Sequence, residues 1–394
     1  MKGRISTMHC FRKVTNDLYW VGGSDRRLEL FENLFPIPRG VSYNSYLLLD
    51  EKTVLFDTVD NSIGRQFLDN ITALLNGRAL DYLVVNHMEP DHCSMIADLM
   101  LRYPDMQIIG NAKTFPMIRQ FYALNLDSKT IAVKEGDTFS SGTHTFRFLM
   151  APMVHWPEVM VTYDSADKVL FSADGFGKFG ALDVEEEWAC EARRYYIGIV
   201  GKYGLMVQKL LQKASALDIQ VICPLHGPVL KENLGYYLDL YNTWSSYGVE
   251  TEGTVIAYTS VYGNTRKAVE LLAKKLEEEG CPKVVVNDLA RCDMAEAVED
   301  AFRYGKMVLA STTYNAEVFP FMRDFLAEIT ERGYQNRKVA FIENGTWAPT
   351  AAKVMKAAFD KSANITFADT TVTIKSAMTP ANEEEIAALA KEMK

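Results

Sequence analysis

Near Gly248 the hydrophobic rhythm of the chain changes, and the two halves ask for different architectures. Beyond it, strand-like runs at 255–258, 283–286, 307–310, 339–342 and 365–367 alternate with helical patterns at 265–279, 295–303, 320–332, 350–358 and from Pro380 onward. Strands separated by whole helices are not hairpin partners, so this half predicts an open, doubly wound parallel sheet with helices on both faces. Before Gly248, short strand-like runs dominate, at 43–49, 53–56, 83–85, 145–150, 169–172 and 221–223, with helical patterns at 63–75 and 114–124. The stretch 247–253 holds two glycines and two glutamates and reads as the linker, giving domains at 1–249 and 254–394. A length of 394 residues leaves room for two or three domains, and a hydrophobic share of 48% supplies two full cores. There is no internal repeat or low-complexity tract.

Charge and cysteine usage remove several classes of function. With 51 acidic against 42 basic residues, the net charge is −9 and the pI near 5.4, so no nucleic-acid partner is expected. No apolar run approaches the roughly 20 residues that span a bilayer, so no membrane partner is expected. The start, MKGRISTMHCFRK, has charges but no apolar stretch after them, which argues against a signal peptide. The chain reads as a soluble cytoplasmic protein. Cys10, Cys93, Cys190, Cys223, Cys281 and Cys292 form no C-x-x-C pair, which leaves no rubredoxin-type or zinc-ribbon site. They read as reduced thiols that act as small apolar residues.

The histidines carry far more. Only six occur, and four of them follow strand-like runs. His87 and His92 lie in NHMEPDHCSM after the apolar run at 82–85, His155 follows 145–150 and a proline turn, and His226 follows 221–223. Asp174 follows 169–172 in the same way. Layered α/β folds gather their active sites beyond the carboxyl ends of strands, and rigid strand ends suit ligands that must hold fixed geometry. The spacing H-x-E-x-D-H adds Glu89 and Asp91, and Pro90 favours the sharp turn that would divide them between neighbouring ions. Seven candidates exceed the four a single tetrahedral zinc needs. They fit two metals with three terminal ligands each and one bridging carboxylate, for which Asp174, alone on its strand end, is the natural choice. Nitrogen and oxygen ligands without thiolate suit iron, manganese or zinc, and Glu89 tips the balance towards iron. His9 and His144 lack this context and read as structural.

In the second half, Thr259-Ser260-Val261-Tyr262-Gly263-Asn264-Thr265 follows the first strand and opens into a helix. Hydroxyls and free N–H groups at a helix N-terminus make an anion site, and Gly263 allows close approach. No G-K-[ST] occurs, so a nucleoside triphosphate is not the ligand. A phosphate monoester held by hydroxyls and amides points to FMN. Two later strand ends add Ser311-Thr312-Thr313-Tyr314-Asn315 and Glu343-Asn344-Gly345-Thr346-Trp347, whose aromatic rings suit the faces of an isoalloxazine.

With these residues in place, the chain resembles the flavodiiron proteins (A-type flavoproteins) over essentially its whole length. The resemblance implies an N-terminal αββα metallo-β-lactamase-like domain, with glutamate in the place of that motif's second histidine, followed by a flavodoxin-like domain. It implies His87, Glu89 and His155 on one iron, Asp91, His92 and His226 on the other, and Asp174 bridging. It implies FMN in the three loops and a head-to-tail homodimer, single or doubled into a dimer of dimers, in which each flavin meets the partner's irons, with Trp347 between them. A separate donor such as rubredoxin, or another reduced carrier, would feed the flavin. Two electrons from the iron pair and two from reduced FMN match reduction of O2 to two waters, or of two NO pairs to N2O. Ending at Lys394, the chain resembles the minimal class. The alternative is a dizinc hydrolase of lactamase-like fold fused to a flavodoxin domain; a pure electron carrier with an inert first domain is a further rival. Tyr195 and Tyr196 read either as helix packing or as hydroxyls near the metals. Glu185-Glu186-Glu187 and Glu277-Glu278-Glu279 read as solvated faces, and the 17 methionines as core filler.

Overall fold

The computed structural model describes residues 9–394, and the first eight residues of the N-terminal stretch read above lie outside the described residues. Two compact units emerge, one of residues 1–196 and 205–241, the other of 197–204 and 242–394.

The first unit is a sandwich of two sheets. The seven-stranded sheet runs Arg12–Lys13, Leu18–Trp20, Tyr46–Leu49, Thr53–Phe56, Tyr82–Val84, Gln107–Asn111, Thr130–Val133, with antiparallel pairs giving way to parallel ones from Thr53–Phe56 onward. The five-stranded sheet runs Thr138–Ser140, Thr145–Met150, Met160–Asp164, Val169–Phe171, Val221–Cys223, and only its last pair is parallel. Alternating side chains of both sheets interdigitate, with Phe56 stacked on Phe171 at 3.7 Å between centroids and Val54, Val84, Phe146, Phe148 and Met160 around them. The helix Gly64–Leu75 is amphipathic and buries Phe67, Ile71 and Leu75.

Three expectations change here. The run at 43–49 is broken, because Asn44 leaves the ladder and donates its backbone N–H to the carbonyl of Leu225; strands Val41–Tyr43 and Tyr46–Leu49 lie on either side. The linker is shorter than 247–253, because Thr251–Tyr258 is one strand whose irregular start falls between Thr251 and Thr254. Glu186 is no solvated face: its side chain is 5% exposed and pairs with Lys178 and Arg39.

The second unit is a parallel sheet in the order Val284–Asp288, Thr251–Tyr258, Tyr304–Tyr314, Arg337–Asn344, Ile365–Ile374, with a short antiparallel addition at Glu317–Val318. This second-first-third-fourth-fifth order is that of a flavodoxin, with its switch point between Thr251–Tyr258 and Tyr304–Tyr314. The helices Asn264–Glu278 and Pro380–Met393 bury Leu272, Leu276, Ile386 and Leu389 against Ile256, Val308 and Ile342. The alternate residues Val255 and Ala257 are equally buried, and the helix Met294–Arg303 packs on the same strands. No helix among the described residues is long and apolar enough to cross a membrane.

Candidate dinuclear metal centre and cofactor cleft

The loops beyond Tyr82–Val84, Thr145–Met150, Val169–Phe171 and Val221–Cys223 bring together all seven metal candidates. They fall into two groups, His87, Glu89, His155 and Asp174 in one and Asp91, His92 and His226 in the other. Asp174 joins them. Its Oδ2 lies 3.2 Å from His87 Nε2 and 3.1 Å from His155 Nε2, while Oδ1 lies 3.2 Å from His92 Nε2 and 3.7 Å from His226 Nε2. Glu89 Oε2 closes the first group at 3.2 Å from His87 Nε2 and 3.0 Å from His155 Nε2. Asp91 Oδ2 closes the second at 3.3 Å from His92 Nε2 and 3.2 Å from His226 Nε2.

These spacings are those of atoms that share a central ion, and at Asp91 and Asp174 hydrogen bonding does not account for them. Both oxygens of Asp91 and both of Asp174 are buried without a hydrogen-bond partner among the described residues. The Nε2 atoms of His92 and His226 face each other at 3.1 Å, where two neutral imidazoles cannot both direct lone pairs without a cation between them. Buried carboxylates with no donor are costly, and a divalent pair removes that cost. Two metal ions therefore fit the residues present.

The electrostatics agree. Burial works against charge on His87, yet Asp174, Glu158 and Glu89 raise its pKa well above the ordinary imidazole value. His155, also opposed by burial, is pushed up to about 9 by Asp174 and Glu89. Burial raises and the histidines lower the pKa of Glu89 and Asp174, and the histidines win in both. The pocket is built to hold positive charge.

His87, His226 and the loops that carry them are held by partners that the sequence pattern did not reveal. Glu158, itself 1% exposed, accepts from His87 Nδ1 and from the N–H of Met88, both at 2.8 Å, which leaves the lone pair of His87 on Nε2. Asp57 accepts from the N–H groups of Asn86 (2.7 Å) and His87 (3.1 Å) and fixes the loop that carries them. Burial pushes Asp57 up to about 6, with Asn86 holding it back. His226 Nδ1 donates to the carbonyl of Ser42 at 2.8 Å. The broken strand explains itself at this point: Asn44 Nδ2 donates to the carbonyls of Pro224 and Gly227, both at 2.8 Å, and so clamps the His226 turn. Phe31, Tyr43 and Tyr195 surround the His226 ring, with centroids 5.4–5.8 Å away, and keep water from it. Tyr196 packs on Tyr241 instead.

In the second unit a cleft of about 610 Å³ opens at the sheet's switch point. Ser260, Val261, Tyr262, Asn264, Thr265, Thr312, Thr313, Tyr314, Asn315, Asn344, Gly345, Thr346 and Trp347 line it, together with Ala316, Ala348, Thr350 and Ser376, which the sequence motifs passed over. The other four expected residues do not line it. Thr259 and Ser311 are buried and face each other at 3.1 Å between hydroxyls, Glu343 accepts from Thr373 and from the N–H of Ala352, and Gly263 caps the helix. Gly263 adopts φ +87°, and Ser260 Oγ accepts from its N–H. The volume suits a cofactor, and the rings of Tyr262 and Trp347, 93% and 91% exposed, stand ready to flank a planar one. FMN fits these residues.

Comparison with known proteins agrees with the geometry. Residues 41–227 match the ODP family beta-lactamase model, and 255–373 match a flavodoxin domain model. The anaerobic nitric oxide reductase flavorubredoxin of Escherichia coli is 30% identical over 348 residues, covering 85% of this chain and 72% of that protein. Rubredoxin oxygen:oxidoreductase from Desulfovibrio gigas superimposes with a TM-score of 0.91 at 25% identity over 98% of both chains. A flavoprotein from Thermotoga maritima does so at 0.87 and 26% identity over 98% of both chains.

Proposed function

The chain belongs to the flavodiiron proteins, and from that premise we propose that it is an oxidoreductase passing electrons from a reduced carrier through FMN to a non-haem diiron centre that reduces O2 to water, NO to N2O, or both. The observation that carries this reading is the division of Asp174, one oxygen towards each group of ligands. In it His87, Glu89 and His155 would hold one iron, Asp91, His92 and His226 the other, and Asp174 would serve both. The hydroxyls and N–H groups of Ser260–Thr265 would hold the FMN phosphate, and Tyr262, Tyr314 and Trp347 would flank its ring. The diiron domain then falls within 1–249, and the FMN domain takes 254–394 together with the start of its first strand at Thr251.

When bound, the iron pair and reduced FMN together supply the four electrons that O2 needs to become two waters, or that two NO pairs need to become two N2O. The chain's own residues supply the setting. Glu158 and the Ser42 carbonyl keep the Nδ1 protons of His87 and His226 away from the centre, so that Nε2 faces inward. Phe31, Tyr43 and Tyr195 exclude water from one side. The protein is then a cytoplasmic head-to-tail homodimer, single or doubled, and the exposed rings of Tyr262 and Trp347 support an assembly in which they are covered. A small reduced carrier such as rubredoxin delivers the electrons.

Anaerobic single-turnover mixing of the reduced, iron- and FMN-loaded protein with O2 and, separately, NO tests this. Fast flavin oxidation by O2 without released peroxide makes it an oxygen reductase, and faster oxidation by NO with N2O formed makes it a nitric oxide reductase. Oxidation by either gas no faster than that of free FMN overturns the reading and turns attention to zinc hydrolysis.

A further inference from the structure

A third group of metal-competent side chains lies at the other end of the second sheet. The centre described above uses the residues that follow Thr145–Met150 and Val169–Phe171; this group uses residues that precede them. His144 immediately precedes Thr145–Met150, and Asp167 lies in the turn between Met160–Asp164 and Val169–Phe171. Asp17, just before Leu18–Trp20, reaches across from the first sheet. The ligand atoms of the three lie within 4.8 Å of one another.

His144 is 3% exposed, and its two nitrogens have different roles. Nδ1 lies 2.7 Å from Asp164 Oδ2, so a proton there points at a carboxylate, and a cation at Nε2 would take the place of the proton shared with Asp17. This repeats the arrangement of Glu158 on His87, in which a carboxylate orients an imidazole towards an ion. Nε2 then faces Asp17 Oδ2 at 3.1 Å, the separation found between ligand atoms at the diiron centre. Asp167 supplies the independent observation. Its Oδ2 is buried and has no hydrogen-bond partner among the described residues. The neighbouring Lys168 does not neutralise it, because Lys168 pairs with Asp218. One imidazolium cannot balance Asp17, Asp164 and Asp167 together, and a buried carboxylate oxygen without a donor calls for a cation.

We propose that Asp17, His144 and Asp167 bind one divalent cation with a preference for mixed nitrogen and oxygen ligands, such as Zn2+ or Mn2+, which ties the two sheets together at the end remote from the diiron centre. The one-third exposure of the Asp17 side chain leaves a path for the ion and for the waters that complete its shell.

The test uses iron- and FMN-loaded protein equilibrated with Zn2+, desalted and analysed for zinc, iron and flavin. The expected result is one zinc per chain in addition to the iron, seen by anomalous diffraction beside His144 Nε2, and a higher Tm in the presence of Zn2+. D167N, which removes a charge but none of the hydrogen bonds of the turn, should weaken zinc binding at least about tenfold and abolish the Tm shift, with iron and flavin contents unchanged. D17N should do the same from the other sheet. No additional zinc, zinc uptake indifferent to both substitutions, or zinc gained only as iron is lost would each overturn the proposal and leave a proton-bridged His144–Asp clamp.

Discussion

The metal centre and the flavin cleft both lie beyond the carboxyl ends of strands, but they are built by opposite means. At the centre, the ligands are almost wholly buried and two of the four imidazoles are oriented by hydrogen bonds, His87 by Glu158 and His226 by the Ser42 carbonyl. In the cleft, the two principal rings are more than nine-tenths exposed and the walls mix loop hydroxyls and amides with apolar and aromatic side chains. The first arrangement stores unfavourable charge in fixed positions, so ions bind to a preformed geometry. The second stores little and gains its order from what it binds.

The sharpest way to break this comparison is D174N. It removes the charge that serves both ligand groups at once, so iron analysis should show loss of the pair and turnover should fall at least about a hundredfold, with FMN content unaffected. Retention of two irons would show that the two groups are independent. E158Q is next, because it keeps the shape but weakens the carboxylate's hold on His87. Iron should dissociate to a chelator about 10–100 times faster, while far-UV circular dichroism stays native. In the cleft the effect should be smaller. G263A forces a side chain into φ +87° at a cost of about 1 kcal/mol, so FMN affinity should drop about fivefold by fluorescence titration, and iron content should not change.

The smallest effect contrasts two carboxylates of the first domain. Burial pushes Asp50 up, but the hydroxyls of Ser141 (2.6 Å) and Thr143 (2.8 Å) and the N–H of His144 (3.0 Å) together hold it well below the usual carboxylate range. Asp50 is thus satisfied by protein donors, where Asp174 needs ions. A depressed folded pKa contributes stability that is present above the unfolded value, about 3.9, and lost as pH falls through the folded one. Denaturant melts should show wild type losing stability below about pH 4, and D50N, already weaker at pH 7, losing less over the same interval.

Much of the centre was legible because metal chemistry admits few residue types, and His87, Glu89, Asp91 and His92 fall within six positions after an apolar strand. Their supports were not legible. Glu158, Asp57 and Asn44 act across 29 to 183 residues of chain through folds in the backbone, and no spacing announces them. Asn44 also explains why an apolar run at 43–49 is two strands, since a tertiary demand on the His226 turn outweighed local strand propensity. The flavin loops were legible as loops, but which side of each loop faces the cleft depends on packing. Thus Thr259, Ser311 and Glu343 point into hydrogen-bonded walls, while Ala316, Ala348 and Ser376, chemically plain, line the cavity. Strands Gln107–Asn111 and Met160–Asp164 escaped notice although Pro104-Asp105 precedes the first and Ser165-Ala166-Asp167 follows the second.

Anomalous diffraction at the iron edge from iron-loaded crystals tests the central claim most directly. The account predicts two iron peaks about 3.5 Å apart, one among His87, Glu89 and His155 and one among Asp91, His92 and His226, with one Asp174 oxygen directed at each. A single peak, or a pair in which Asp174 contacts only one ion, would contradict it.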